Sequence, residues 1–183
     1  MRGLQIDASL ADGNNRVLTH LILNGMIKVK GQLGEMAKCL EDEDRRIQDL
    51  AKLFFSELAS KDNAIYNNLP DIVSSLSAGS DPVSEPIFEG TMKFIFKFID
   101  KEKQAEAIVE KLCQRFRIAT EARQWSDIAF CLSLLPFKSD KSMKKLEEAL
   151  PLYQDKLYEP KVFARMSEIL VKVDPSLLCA AYC

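Results

Sequence analysis

The stretch Cys39 to Leu58 reads CLEDEDRRIQDLAKLFFSEL. Ile47, Leu50, Ala51, Phe54, Phe55 and Leu58 fall at i, i+3, i+4, i+7, i+8 and i+11. That spacing lays one apolar stripe along a helix. The acidic run Glu41 to Asp44 precedes it, and Asp44 stands where a carboxylate can accept from unpaired N–H groups of the first turn. A basic residue beside a β-branched one, Arg46 and Ile47, opens the helix. Ala51, small, follows four positions on.

The same period recurs on both sides. Downstream, Leu69, Ile72, Val73 and Leu76 form a stripe, with Asn68 as its expected cap and Pro70 in its first turn. Ser77 to Glu85, SAGSDPVSE, is a loop by composition. Ser84 can cap the next helix, with Pro86 in its first turn. That helix carries Phe88, Met92, Ile95, Phe96 and Ile99 on one face and Phe94 and Phe98 on a second. Burial on both sides is favoured there over a partner. Three further stripes are Ala105, Ile108, Val109, Leu112, Phe116; Trp125, Ile128, Ala129, Leu132, Leu135, stopped by Pro136; and Met143, Leu146, Leu150, Tyr153, Leu157. Val162, Phe163, Met166, Ile169, Leu170 and Val173 make the last. Upstream, Val17, Leu18, Leu21 and Ile22 start a helix that Gly25 can end.

No segment alternates as a strand does, so the expected fold class is all-α. About eight or nine helices joined by short loops make an array of αα-hairpins. Hairpins at a spacing of about 35–40 residues mark an α-solenoid, an α-α superhelix. Periodicity alone leaves a compact helical bundle as an alternative. The junction built from Asp42, Asp44, Arg46, Ile47 and Ala51 resembles a HEAT-type turn between paired helices. In that phase the expected pairs are 30–40 with 44–60, 68–77 with 85–100, 102–118 with 121–135, and 141–157 with 159–173. The helix at 15–25 is then the second half of a pair. The expected organisation is an irregular segment 1–14, a repeat domain 15–173, and a short divergent segment 174–183.

Composition agrees with a globular domain: 47% apolar and 28% charged residues, with seven Gly and seven Pro among 183. The net charge of −2 lacks the basic excess of a domain that binds nucleic acid by itself. A mixed solvated surface is favoured over a basic patch. Cys39, Cys113, Cys131, Cys179 and Cys183 are odd in number, irregular in spacing and free of any CxxC. With no signal-peptide pattern at the start, a reduced intracellular setting with buried thiols is expected. The longest apolar run, Phe94 to Ile99, is interrupted by Lys97 and flanked by Lys93 and Asp100. No membrane span is therefore expected.

Little in the sequence suggests chemistry. His20 stands alone on the 17–22 stripe, where a packing role is favoured over a catalytic one. No HExxH, GxGxxG or Walker loop occurs, and Gly31-x-x-Gly34 is too short to cradle a phosphate. The cysteines lack zinc-ligand spacing. The carboxylates at 41–44 read as a capping turn, since no glycine-containing calcium loop surrounds them. No cofactor, no metal, no small-molecule substrate and no catalytic residue is expected. Two basic sets remain as candidate contacts to a DNA backbone or a partner. One is Lys28 and Lys30 with Arg45 and Arg46; the other is Lys111, Arg115, Arg117 and Arg123. Ordinary surface is favoured for each. Turns along one solenoid edge could nonetheless align into a ridge that touches phosphates without reading sequence.

The segment VLTHLILNGMIKVKGQLGEMAKCLEDEDRRIQDLAKLFFSEL, Val17 to Leu58, resembles the HEAT-repeat region of the condensin subunit 1 family. The likeness continues through KDNAIYNNLPDIVSSLS at Lys61 to Ser77 and VEKLCQRFR at Val109 to Arg117. It reappears in the E-x-R-Q-W-x-D-I-A-F-C-L-S-L-L-P stretch from Glu121 to Pro136. The KVKGQ and NAIYN-x-LPDI elements are its most specific parts. The related subunit of the second condensin complex is similar but fits less well. The resemblance implies a non-catalytic regulatory subunit for mitotic chromosome condensation. Its implied partners are the kleisin and SMC ATPase subunits, with sequence-independent DNA contact in the complex. It implies a place in the nucleus and on mitotic chromosomes, and in the cytoplasm in interphase. Family members are several times longer, so the chain reads as a partial version. A stand-alone helical adaptor in protein transport or trafficking is the alternative that periodicity allows.

Overall fold

The computed structural model describes residues 32–60, 63–78 and 81–173. The expected helix at 15–25 and the segments 1–14 and 174–183 lie outside them. Among the described residues there are nine α-helices and no strand.

Helix α1, Leu33–Lys38, runs on into a 3-10 turn, Cys39–Glu41. Helix α2, Arg45–Ser60, follows the acidic turn. Its cap is the expected one: the Asp44 carboxylate accepts from the Arg46 N–H at 2.8 Å. Ala51, Phe54, Phe55 and Leu58 are buried, as the stripe requires. Full burial of such a side chain contributes about 1.5–3 kcal/mol.

Helix α3, Ala64–Ala78, differs from expectation. It begins a turn before Asn68, so Pro70 lies inside the helix. Asn68 is no cap; its Nδ2 donates back to the Ala64 carbonyl at 2.8 Å. A proline there removes one backbone bond and costs about 3 kcal/mol. The cost is met because Ile65, one turn upstream, extends the buried stripe to Ile65, Leu69, Ile72, Val73 and Leu76.

Helix α4, Glu85–Ile95, ends in a 3-10 turn, Phe96–Phe98. Pro86 sits in its first turn as expected, but the Ser84 side chain makes no capping bond. Phe88, Met92 and Ile95 are buried. Phe94 and Phe98 are half-buried, edge to face at 5.4 Å, with Lys97 over the Phe94 ring. Helices α5, Glu102–Arg115, and α6, Ala122–Ser133, follow. The long helix expected at 141–157 is broken. Pro151 cannot donate to the preceding turn, so α7, Asp140–Glu148, gives way to a short α8, Leu150–Tyr153, and a 3-10 turn, Gln154–Lys156. Helix α9, Pro160–Val173, is the last described element.

The helices pack in two layers. In one, α1 lies on α3, α3 on α5, and α5 on α7 and α8. In the other, α4 lies on α6 and α6 on α9, while α2 packs against α3 and the 3-10 turn after α1. With α7 and α8 counted as the two parts of one broken helix, successive helices therefore alternate between layers, the arrangement of a repeat solenoid. Close approach within the first layer needs Gly34: a methyl group there would overlap the Ser75 side chain. The missing side chain of Gly34 thus has a packing role. One continuous core runs through both layers, from Leu33 to Ile169.

Candidate interaction surfaces

The polar side chains are spent mainly on stitching helix to helix. In the first layer Lys38 reaches Asp81 at 3.3 Å, Arg115 pairs with Asp71 at 2.9 Å, and Lys145 pairs with Glu110 at 2.7 Å. The turn before α3 meets the start of α5 through Gln104 donating to Asn63 at 2.8 Å. Ser139, before α7, donates to Glu106 of α5 at 3.3 Å and caps α7 by accepting from Ser142 N–H. Lys111 of α5 lies over the Tyr66 ring of α3 at 3.9 Å, a cation–π contact.

Between the layers lies a polar knot. Ser77 of α3 donates to Asp127 of α6 at 2.8 Å, and Arg123 Nε donates to the same carboxylate oxygen at 2.8 Å. A second guanidinium nitrogen of Arg123 donates to the Val83 carbonyl at 3.2 Å. Burial pushes the Asp127 carboxyl above its usual range, against the pull of Ser77 and Arg123. Across the second layer Lys161 of α9 pairs with Glu85 of α4 at 2.6 Å, and Arg165 with Glu89 at 3.0 Å. Both span α6, and the Arg165 guanidinium lies over Phe130 of that helix at 5.0 Å.

This geometry sorts the expected basic contacts. Lys28 and Lys30 lie outside the described residues. Arg45 and Arg46 are exposed at the start of α2, and Arg117 is exposed just past α5. Lys111, Arg115 and Arg123 are already engaged within the fold, by Tyr66, Asp71 and Asp127 respectively. The residues that the sequence reading missed are Glu85, Glu89, Lys161 and Arg165. They stand 76 positions apart in each pair, so no local pattern announces them.

A shallow groove of about 190 Å³ opens where α3, α5 and α6 meet. Val73, Ala78, Ala119 and Ile128 line it, with Arg115 and Gln124 among its polar neighbours and Ile118 exposed. Among the described residues no three His, Cys, Asp or Glu side chains are placed to hold a metal. Burial raises the thiols as well, Cys113 to about 12 and Cys131 well above its usual value, which leaves next to no thiolate at neutral pH. No helix of the described residues is long and apolar enough to cross a membrane.

Alternating helices in two layers, pinned pair by pair and open along their edges, define a HEAT-type helical-repeat fold. The family model described as non-SMC mitotic condensation complex subunit 1 matches residues 15–133. The chain is 50% identical to condensin complex subunit 1 of Xenopus laevis over 147 residues, 80% of this chain and 11% of that one. To the Homo sapiens protein of that name it is 45% identical over 157 residues, 86% of this chain and 11% of that one. To that of Saccharomyces cerevisiae it is 48% identical over 139 residues, 76% of this chain and 12% of that one. The chain belongs to the non-SMC mitotic condensation complex subunit 1 family, and it spans about a tenth of the length of these relatives.

Proposed function

We infer that this chain acts as part of a non-catalytic scaffold, the regulatory non-SMC subunit of condensin, in mitotic chromosome condensation. The observation that carries the reading is the family match over residues 15–133, at 45–50% identity to condensin subunits from frog, human and yeast. A solenoid suits the role, because extended layers of helix edges offer long surfaces to partner chains. Residues 15–173 are the binding unit, flanked by 1–14 and 174–183. Its partners are the kleisin and SMC ATPase subunits. It works in the nucleus and on mitotic chromosomes.

Any DNA contact is to the phosphate backbone and is sequence-independent. Arg45, Arg46 and Arg117 carry it, with Lys28 and Lys30. The exposure of Arg45, Arg46 and Arg117 supports this, whereas Lys111, Arg115 and Arg123 serve by holding helices in place. The test is affinity isolation of the tagged chain from mitotic cells, read by mass spectrometry. Kleisin and SMC subunits are expected in proportion to the bait. A soluble, helical chain that recovers neither overturns the reading. For the DNA part, Arg45→Glu with Arg46→Glu is expected to weaken the salt-dependent binding of duplex DNA by the isolated complex. Binding unchanged by this pair would remove those residues from the proposal.

A further inference from the structure

The turn that joins α5 to α6 reads RFRIAT, Arg115 to Thr120. Thr120 thus stands three residues after Arg117 and five after Arg115. Arginines at that spacing before a hydroxyl are a charge pattern by which one class of protein kinases selects its substrates. Ser126 is the one other described hydroxyl that follows an arginine by three, and it is buried inside α6. Thr120 is exposed and lies outside both helices. Its backbone N–H donates to the Gln124 side chain at 2.9 Å, while its hydroxyl bonds to no described residue. A kinase takes its substrate in an extended form, so this segment has to lift from the surface. Phe116 is the last buried side chain before Thr120, and from Arg117 to Thr120 none is buried. The Arg117 N–H donates to the Gln114 carbonyl and the Ile118 N–H to the Arg115 carbonyl, both at 3.2 Å. Such three-residue turns at a helix end are weaker than α-helical ones and fray first. The bonds that hold the rest are few: Ala119 N–H to the Arg115 carbonyl and Trp125 Nε1 to the Ala119 carbonyl, each 3.0 Å. The Arg115–Asp71 pair is partly solvated and releases readily.

We propose that Thr120 is a phosphorylation site for an arginine-directed protein kinase, and that the start of α6 receives the phosphate. In the transfer, Thr120 Oγ1 bonds to the terminal phosphorus of ATP and the bond from that phosphorus to ADP breaks. The hydroxyl proton passes to a base of the kinase. The product carries a charge of about −1.5 to −2 and three acceptor oxygens, two residues ahead of α6. Glu121, at the N-cap of α6, makes no side-chain bond to the first turn, so N–H groups there are open to a phosphate. The positive end of the helix dipole favours the same charge. Arg115 lines the same groove as Thr120 and offers a guanidinium fork to the phosphate oxygens.

The test incubates the full chain with MgATP and a purified kinase that selects arginine three and five residues before its target, and maps the product by mass spectrometry. One phosphate at Thr120 is expected, and none at that position in Thr120→Val. Arg117→Ala is expected to lower kcat/KM for the transfer by about tenfold or more. The peptide 113–123 is run alongside. A labelled peptide beside an unlabelled chain overturns the proposal, because the fold then withholds the site. Labelling of neither overturns it too, because the spacing is then not read. In the phosphorylated chain, amides of residues 122–125 are expected to exchange several-fold more slowly, with those of α1 to α4 unchanged. Equal or faster exchange at 122–125 overturns the placement of the phosphate on α6.

Discussion

At the scale of single residues, two small sites carry disproportionate weight. Gly34 lets α1 approach α3 where the Ser75 side chain fills the space. Gly34→Ala gains up to about 1 kcal/mol of helix propensity. It meets an overlap whose relief typically costs about 1–3 kcal/mol. The overlap wins, and the thermal midpoint is expected to fall by several degrees. Ser75→Gly in the same chain removes the obstacle and should recover most of the loss, a coupling that a double-mutant cycle reads directly. Additive losses would show that the contact is not the cause. Asp127 is the second site, buried, with its carboxyl held above the ordinary value near ~3.9. A raised acid binds its proton more tightly in the folded chain. Its contribution to stability is therefore fully present below the unfolded value and is lost as pH rises through the folded one. Asp127→Asn keeps an acceptor for Ser77 and removes the titration. Urea unfolding at neutral pH and near ~4.5 should show the wild type gaining on the variant as pH falls. The reverse sign would mean that Arg123 and Ser77 outweigh burial.

Among the elements, α9 tests how the second layer is held. Lys161–Glu85 and Arg165–Glu89 tie it to α4 across α6, yet these side chains are substantially solvated. Such pairs contribute about 1 kcal/mol or less each, and salt screens them. Lys161→Met with Arg165→Met is expected to speed hydrogen exchange within α9 and to leave α2 to α5 unchanged. The difference should shrink as salt is raised. No effect at low salt would assign the docking of α9 wholly to Val162, Met166 and Ile169. The same elements show what a sequence can and cannot convey. Helix positions were legible because burial imposes the 3.6-residue period, and the stripes of α2, α5 and α6 fill the core as expected. The start of α3 was misplaced because Pro70 outranks Ile65 in local reasoning, while burial of Ile65 decides the fold. The break at Pro151 followed the same proline logic that failed at Pro70. The basic candidates were legible only as charge. That Lys111 lies on Tyr66 and Arg123 on Asp127 depends on how one helix pair stacks on the next, and no local pattern in the sequence encodes that.

For the molecule as a whole, stacking decides how a local loss spreads. In a solenoid each repeat touches only its neighbours, so stability is close to a sum of repeat and interface terms. Helices α5 and α6 are packed on both sides, and α9, among the described residues, on one. Leu112 of α5 and Ile169 of α9 are both fully buried. Truncating either to alanine removes a similar apolar volume, worth about 2–5 kcal/mol. The consequences should differ. A central helix cannot open without parting both neighbours, so Leu112→Ala lowers the barrier to opening for α3 through α7 together. Helix α9, the last described element, has fewer described neighbours to part and can open alone, and once it is open a further loss inside it costs the rest nothing. Native-state hydrogen exchange is the measurement. Leu112→Ala is expected to raise exchange across α3 to α7, and Ile169→Ala to raise it only within 160–173. If Ile169→Ala accelerates exchange evenly along the chain, the repeats unfold as one cooperative unit, and the nearest-neighbour account of this solenoid is wrong.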